Sequence, residues 1–203
     1  MMIISYPKSG RTWLKVLIER YCKVASIKKP RLDSNHLGYG HGKEKSVSPE
    51  KDTWVLLTRD KSDTLVSLYH DDKVRYPKRV GKKNIDAYVK DMVPEINKFY
   101  TEIEKYPFAY RMTYEKMSEN TFKEVLPFFE LLFDTVDEDK LKEAVEFCKF
   151  DNLAKQERAN KADMRVPSKF KLKGFYKTRK GRVGSAREEL SPETIKYLGD
   201  NLL

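Results

Sequence analysis

Short apolar runs alternate along this chain with longer stretches of helical period. Met2-Ile3-Ile4-Ser5 reads as a buried strand, and Thr12–Val24 after it has the spacing of an amphipathic helix. Residues 25–53 are loop-rich, with Pro30, Pro49 and glycines at 38, 40 and 42, and leave room for one short strand near Arg31–Ser34. Trp54-Val55-Leu56-Leu57-Thr58 is a second buried run. It stops at Arg59-Asp60, and Ser62–Asp71 follows with helical spacing. Asn84–Tyr106 reads as a helix that Pro94 breaks or kinks, and Phe108–Met112 as a third strand. Helices are expected at 120–133, 137–148 and 151–158, then irregular chain over 160–187. A last helix opens at Ser191, a cap residue, with Pro192 in its first turn. Strands alternating with helices predict an α/β fold: a single domain over residues 1–203, with a mainly parallel central sheet flanked by helices.

The first strand, loop and helix carry the clearest chemistry. Tyr6-Pro7-Lys8-Ser9-Gly10 leads into a helix N-terminus, where free N–H groups and the helix dipole favour an anion. Lys8 adds a full charge, and Ser9 and Thr12 add hydroxyl donors. The loop is not a Walker A, because its Lys precedes its Gly and the run is shorter. The second strand end places Arg59 at the carboxyl edge of the sheet, where open α/β folds bind ligands. Its planar guanidinium suits bidentate phosphate binding, and Ser67 follows two helical turns later.

Charge narrows the partner. The net charge of +10 is concentrated: Lys155–Arg187 holds twelve Lys/Arg and only two acids, Glu157 and Asp163. Such a segment suits a mobile basic lid over an anionic ligand, a solvated loop, or a nucleic-acid-binding arm. The last would need more interleaved aromatics than Phe170, Phe175 and Tyr176. No signal peptide and no apolar run of membrane-spanning length are read, so no membrane span is expected. Cys22 and Cys148 lie far apart with no metal-ligand or disulfide pattern, which reads as a reducing, cytoplasmic compartment.

Three stretches, in order, resemble the sulfotransferases that use 3′-phosphoadenosine 5′-phosphosulfate (PAPS) and release adenosine 3′,5′-bisphosphate (PAP). Tyr6-Pro7-Lys8-Ser9-Gly10-Arg11-Thr12-Trp13 resembles that family's P-K-S-G-T-T-W phosphosulfate loop. Arg59-Asp60, Asp63 and Ser67, with Tyr69-His70, resemble its 3′-phosphate motif. Arg179-Lys180-Gly181, with Gly184, resembles its C-terminal R-K-G-x-x-G loop. The short length looks like the small bacterial or viral-type members. The resemblance implies that Lys8, Ser9, Gly10, Arg11 and Thr12 bind the phosphosulfate, and that Arg59, Ser67, Arg179, Lys180 and Gly181 bind the 3′-phosphate. It also implies that Trp13, Tyr114 and Phe150 contact the base, with Cys148 standing where the family often has a hydroxyl residue. Lys8 would stabilise charge growing on the bridging oxygen, with no metal.

The resemblance also implies a His general base for a hydroxyl acceptor, a small molecule or a carbohydrate. Among three histidines, His36 in Ser34-Asn35-His36 matches the family's segment in order and in its distance from Arg59. His41, among glycines, is its rival, and His70 reads as a packing or capping residue. Two other readings stay open: a nucleotide or small-molecule kinase, against which the missing Walker A counts, and a basic nucleic-acid-binding protein.

Overall fold

The computed structural model describes residues 1–35, 37, 53–159 and 178–203. Its centre is a four-stranded, wholly parallel sheet of β1 (Met2–Ile4), β2 (Asp33–Asn35), β3 (Trp54–Thr58) and β4 (Tyr110–Thr113), in the order β2-β1-β3-β4. Register pairs Ile3 with Ser34 and Val55, and Leu57 with Met112. The apolar runs of β1 and β3 occupy the two inner strands, which is why they show no polar face.

Alternate side chains feed two separate cores. Met2, Ile4, Trp54 and Leu56 pack on one face, under α2 (Lys61–Arg75), α4 (Ile85–Ile103) and α9 (Pro192–Asn201). Ile3, Val55, Leu57 and Met112 pack on the other, under α1 (Arg11–Val24), α6 (Thr121–Leu132) and α7 (Glu138–Phe147). The period-2 alternation of a strand therefore divides one apolar run between two layers. Truncating a fully buried residue such as Leu57 to Ala should cost about 2–5 kcal/mol.

The remaining described elements are α3 (Pro77–Val80), α5 (Tyr114–Glu119), α8 (Phe150–Arg158) and a single 3-10 turn, Ser185–Glu188. Several boundaries differ from expectation. Helix α2 runs on to Arg75 rather than stopping at Asp71, and α4 continues through Pro94 without a break. Strand β4 starts at Tyr110 instead of Phe108, because Phe108 packs against the Trp54 ring and only Ala109 N–H reaches the Trp54 carbonyl. Helix α5 follows β4 directly, in a stretch to which the sequence pattern assigns no element. Its Thr113 cap accepts a bond from Lys116 N–H at 3.2 Å. Ser191 caps α9 as its Ser-Pro start implies, accepting from Thr194 N–H. Among the described residues no helix is long and apolar enough to cross a membrane.

Candidate active site

The carboxyl ends of β1 and β3 open into one cavity of about 860 Å³. Its floor is the β1–α1 loop. Lys8 and Gly10 both take left-handed backbone, at φ 72° and 97°. Glycine is needed at position 10 for a second reason: a Cβ there would lie 2.7 Å from the Tyr114 ring. The start of α1 has no side-chain cap and no acidic residue in its first turn, which suits an anion at this helix N-terminus.

Cations converge on this loop. The Arg59 guanidinium lies 4.3 Å over the Tyr114 ring and bonds weakly to the Lys8 carbonyl at 3.4 Å. Its buried Nε has no hydrogen-bond partner among the described residues, as expected of a group awaiting an anion. Lys8 Nζ is 3.2 Å from Asp71 Oδ1, and Arg75 holds the other oxygen of that carboxylate at 3.0 Å. Burial lowers the Lys8 pKa, Asp71 opposes that shift, and Arg75 and Arg59 reinforce it. Burial also pushes Arg11, at the first turn of α1, down to about 10.

Two carboxylates fasten the C-terminal loop to α2. Asp63 is fully buried; it accepts from Gly184 N–H and Ala186 N–H, both at 2.7 Å, and from the Ser185 hydroxyl at 3.3 Å. Asp60 caps α2 by accepting from Asp63 N–H, which fixes where Asp63 enters the helix. Glu189 accepts from Arg179 at 2.6 Å and pairs with His70 Nε2 at 2.6 Å and Lys180 at 3.1 Å. Burial alone would raise the Glu189 pKa. The bonds from Arg179, His70 and Lys180 outweigh it and bring the carboxyl down to about 2. Gly181, at φ 63°, lies so close to Phe150 that a Cβ would fall 2.1 Å from its ring.

A third wall is apolar. Trp13 stands edge-on to Tyr114, centroids 5.6 Å apart, and its indole N–H donates to the Cys148 carbonyl at 2.9 Å. Phe122, Val145, Phe150 and Leu153 complete this end. A cavity with a cationic loop at its centre and aromatic surface at one end fits a nucleotide carrying more than one phosphate.

A model of the sulfotransferase domain matches residues 19–201. The chain belongs to the sulfotransferase family. Cytosolic sulfotransferase 12 of Arabidopsis thaliana is 25% identical over 243 aligned residues, covering 94% of this chain and 72% of the plant protein. The fold is similar to the crystal structure of mouse sulfotransferase SULT7A1 complexed with PAP, at a TM-score of 0.69 and 18% identity over 98% of this chain and 81% of that one. Retinol dehydratase in complex with androsterone and PAP gives 0.67 and 14% over 98% and 78%. At these identities the two structures establish the α/β fold, and the family match establishes a sulfotransferase enzyme.

Most of the residues singled out in this sulfotransferase's sequence meet in the one cavity: Lys8, Gly10, Arg11, Thr12, Trp13, Arg59, Ser67, Tyr114, Phe150, Arg179, Lys180 and Gly181 all line it. Ser9 does not. It is buried beneath the loop, its hydroxyl without a partner among the described residues. His36 and His41 lie outside the described residues, as does 160–177 of the expected lid. His70 is paired with Glu189, in keeping with the structural role read for it. The Cys148 thiol is buried, which raises its pKa to about 12, and only the residue's carbonyl reaches a site residue.

The sequence reading passed over Asp71, Arg75 and Glu189. The first two had a signal: Ser67, Asp71 and Arg75 recur at i, i+4 and i+8, one face of a helix. Glu189 had none. Among the described residues no group of three or more His, Cys, Asp or Glu is placed to hold a metal ion.

Proposed function

We propose that this enzyme transfers the sulfuryl group of PAPS to a hydroxyl acceptor. The observation that carries the reading is the convergence of Lys8, Arg59, Arg179 and Lys180 around a β1–α1 loop whose helix start is uncapped, beside the aromatic wall of Trp13, Tyr114 and Phe150. The buried Arg59 Nε, without a partner among the described residues, and the two glycines that no side chain could replace fit a bound bisphosphate nucleotide. The PAP complexes of SULT7A1 and retinol dehydratase support the same nucleotide.

PAPS supplies a sulfuryl group already activated by its bond to phosphate. The protein's part is positioning and charge. Lys8 brings a partly buried cation to the loop, where it stabilises the charge that grows on the bridging oxygen in the transition state more than it stabilises the ground state. Arg59, Ser67, Arg179 and Lys180 hold the 3′-phosphate. His36 takes the acceptor's hydroxyl proton as the new S–O bond forms.

PAP formation from PAPS should depend on an added hydroxyl compound, and Lys8→Ala should lower turnover about 100-fold, the effect of deleting one such donor. In calorimetry PAP should bind much more tightly than adenosine 5′-monophosphate, and Arg59→Ala should narrow the gap. Equal affinity for the two nucleotides, or Lys8→Ala turnover within a few-fold of wild type, would overturn the assignment.

A further inference from the structure

The described walls of the cavity differ sharply in polarity. The aromatic and aliphatic side chains of α6, α7 and α8 gather at the Trp13 end. The wall beyond Lys8 is built instead from Tyr6, Pro7, Asp71, Arg75 and Tyr76. Asp71 and Arg75 share the α2 face of Ser67, four and eight residues further on, or about 6 and 12 Å along the axis. Asp71 touches Lys8, so this wall begins where the sulfuryl group would be handed over.

The wall is polar by construction. Asp71 is only 3% exposed, yet it is a carboxylate gripped from both sides by Lys8 and Arg75. The Arg75 guanidinium lies 5.4 Å from the Tyr76 ring centroid, and both side chains line the cavity. Behind it, Tyr6 donates to Glu95 at 3.1 Å, Arg79 bridges Glu95 and Asp72, and Tyr88 donates to Asp72 at 2.6 Å. This part-buried network ties α2 to α3 and α4, so the wall cannot repack around an apolar guest without unpairing charges.

Of the charged groups on the cavity itself, Lys8 and Arg75 share one carboxylate, Asp71, while Arg79 pairs with Asp72 and Glu95 behind them. The wall offers closely spaced polar groups beside an aromatic ring, which match the hydroxyls of a sugar. We infer that the acceptor is a saccharide hydroxyl, bound against Asp71, Arg75 and Tyr76, in contrast to the apolar alcohols retinol and androsterone seen in retinol dehydratase. The inference rests on the sulfotransferase reading proposed above.

The test is acceptor selectivity of the full chain with PAPS, read as PAP formed. Lactose and chitobiose would represent saccharides, with 4-nitrophenol and androsterone as apolar competitors and PAP affinity measured by calorimetry alongside. At least one disaccharide should exceed both competitors about tenfold or more in kcat/KM. Arg75→Gln should raise the saccharide KM about tenfold, the effect of losing one charged hydrogen bond, and raise that of 4-nitrophenol less. Wild-type selectivity keeps the question answerable even if the variant folds poorly. Tight PAP binding with phenol or steroid preferred would overturn the saccharide assignment and leave the sulfotransferase reading standing. No PAP binding and no transfer to any acceptor would overturn both.

Discussion

Asp63→Asn should detach the C-terminal loop from helix α2. The carboxylate is fully buried and takes two N–H groups, from Gly184 and Ala186, at 2.7 Å. An amide of the same shape keeps one acceptor oxygen and turns an NH₂ toward the other donor. One charge-assisted bond then weakens, the other is lost, and an N–H group is left buried and unpaired. With charged bonds contributing roughly 1.5–3 kcal/mol and an unpaired buried donor costing about 1–3, the variant should lose about 3–5 kcal/mol. For a chain of this size each kcal/mol moves Tm by about 2–4 °C, so the drop should fall between about 6 and 20 °C. Exchange of the Gly184 and Ala186 amides should quicken about tenfold or more, and PAP should bind more weakly because Arg179 and Lys180 are no longer fixed. A Tm within about 3 °C of wild type, with both amides still protected and PAP affinity unchanged, would show that Asp63 does not anchor the loop.

Gly181→Ala should weaken PAP binding about tenfold or more, since a methyl group at φ 63° would drive into the Phe150 ring; calorimetry matching wild type would contradict the close approach. Glu189 has a carboxyl depressed from 4.5 to about 2, so its contribution is complete above about pH 4.5 and is lost as pH falls toward 2. Acid unfolding of Glu189→Gln should therefore lack a stability loss that wild type shows across that window, and superimposable profiles would argue against the pairing. His36→Ala should abolish transfer with PAP affinity nearly intact, while His41→Ala should act at most on acceptor KM. The reverse pattern would make His41 the base.

Strand β3 was legible to the residue, because an unbroken apolar run closed by Arg59-Asp60 has few alternatives in a parallel sheet. The end of α2 was not. Asp71-Asp72-Lys73 looks like solvated chain, yet both acids are buried, satisfied by Lys8, Arg75 and Arg79. Sequence polarity reports exposure only where charges lack partners, and those partners come from β1's loop and from helices further along. Helix α5 escaped notice because six residues carry too little period to detect. The site shows the same division. Lys8, Arg59, Ser67 and Arg179-Lys180-Gly181 stand in contiguous motifs and could be found by spacing. The groups that donate hydrogen bonds to the Asp63 carboxylate lie more than 120 residues away, and nothing near Glu189 in the sequence announces that it joins His70 to Arg179.

The Asp63 anchor also has a meaning for how the enzyme is born. On the ribosome, Asp63 leaves the exit tunnel long before Gly184 and Ala186 are synthesised, so for most of translation helix α2 carries a carboxylate whose final hydrogen-bond donors do not yet exist. Burying it then would be costly, and the nascent sheet must either keep that helix end wet or borrow a chaperone's surface. The loop's attachment to α2 is thus completed only after Gly184 and Ala186 have left the ribosome. Folding of the sheet and fastening of the loop are therefore separated in time along the growing chain.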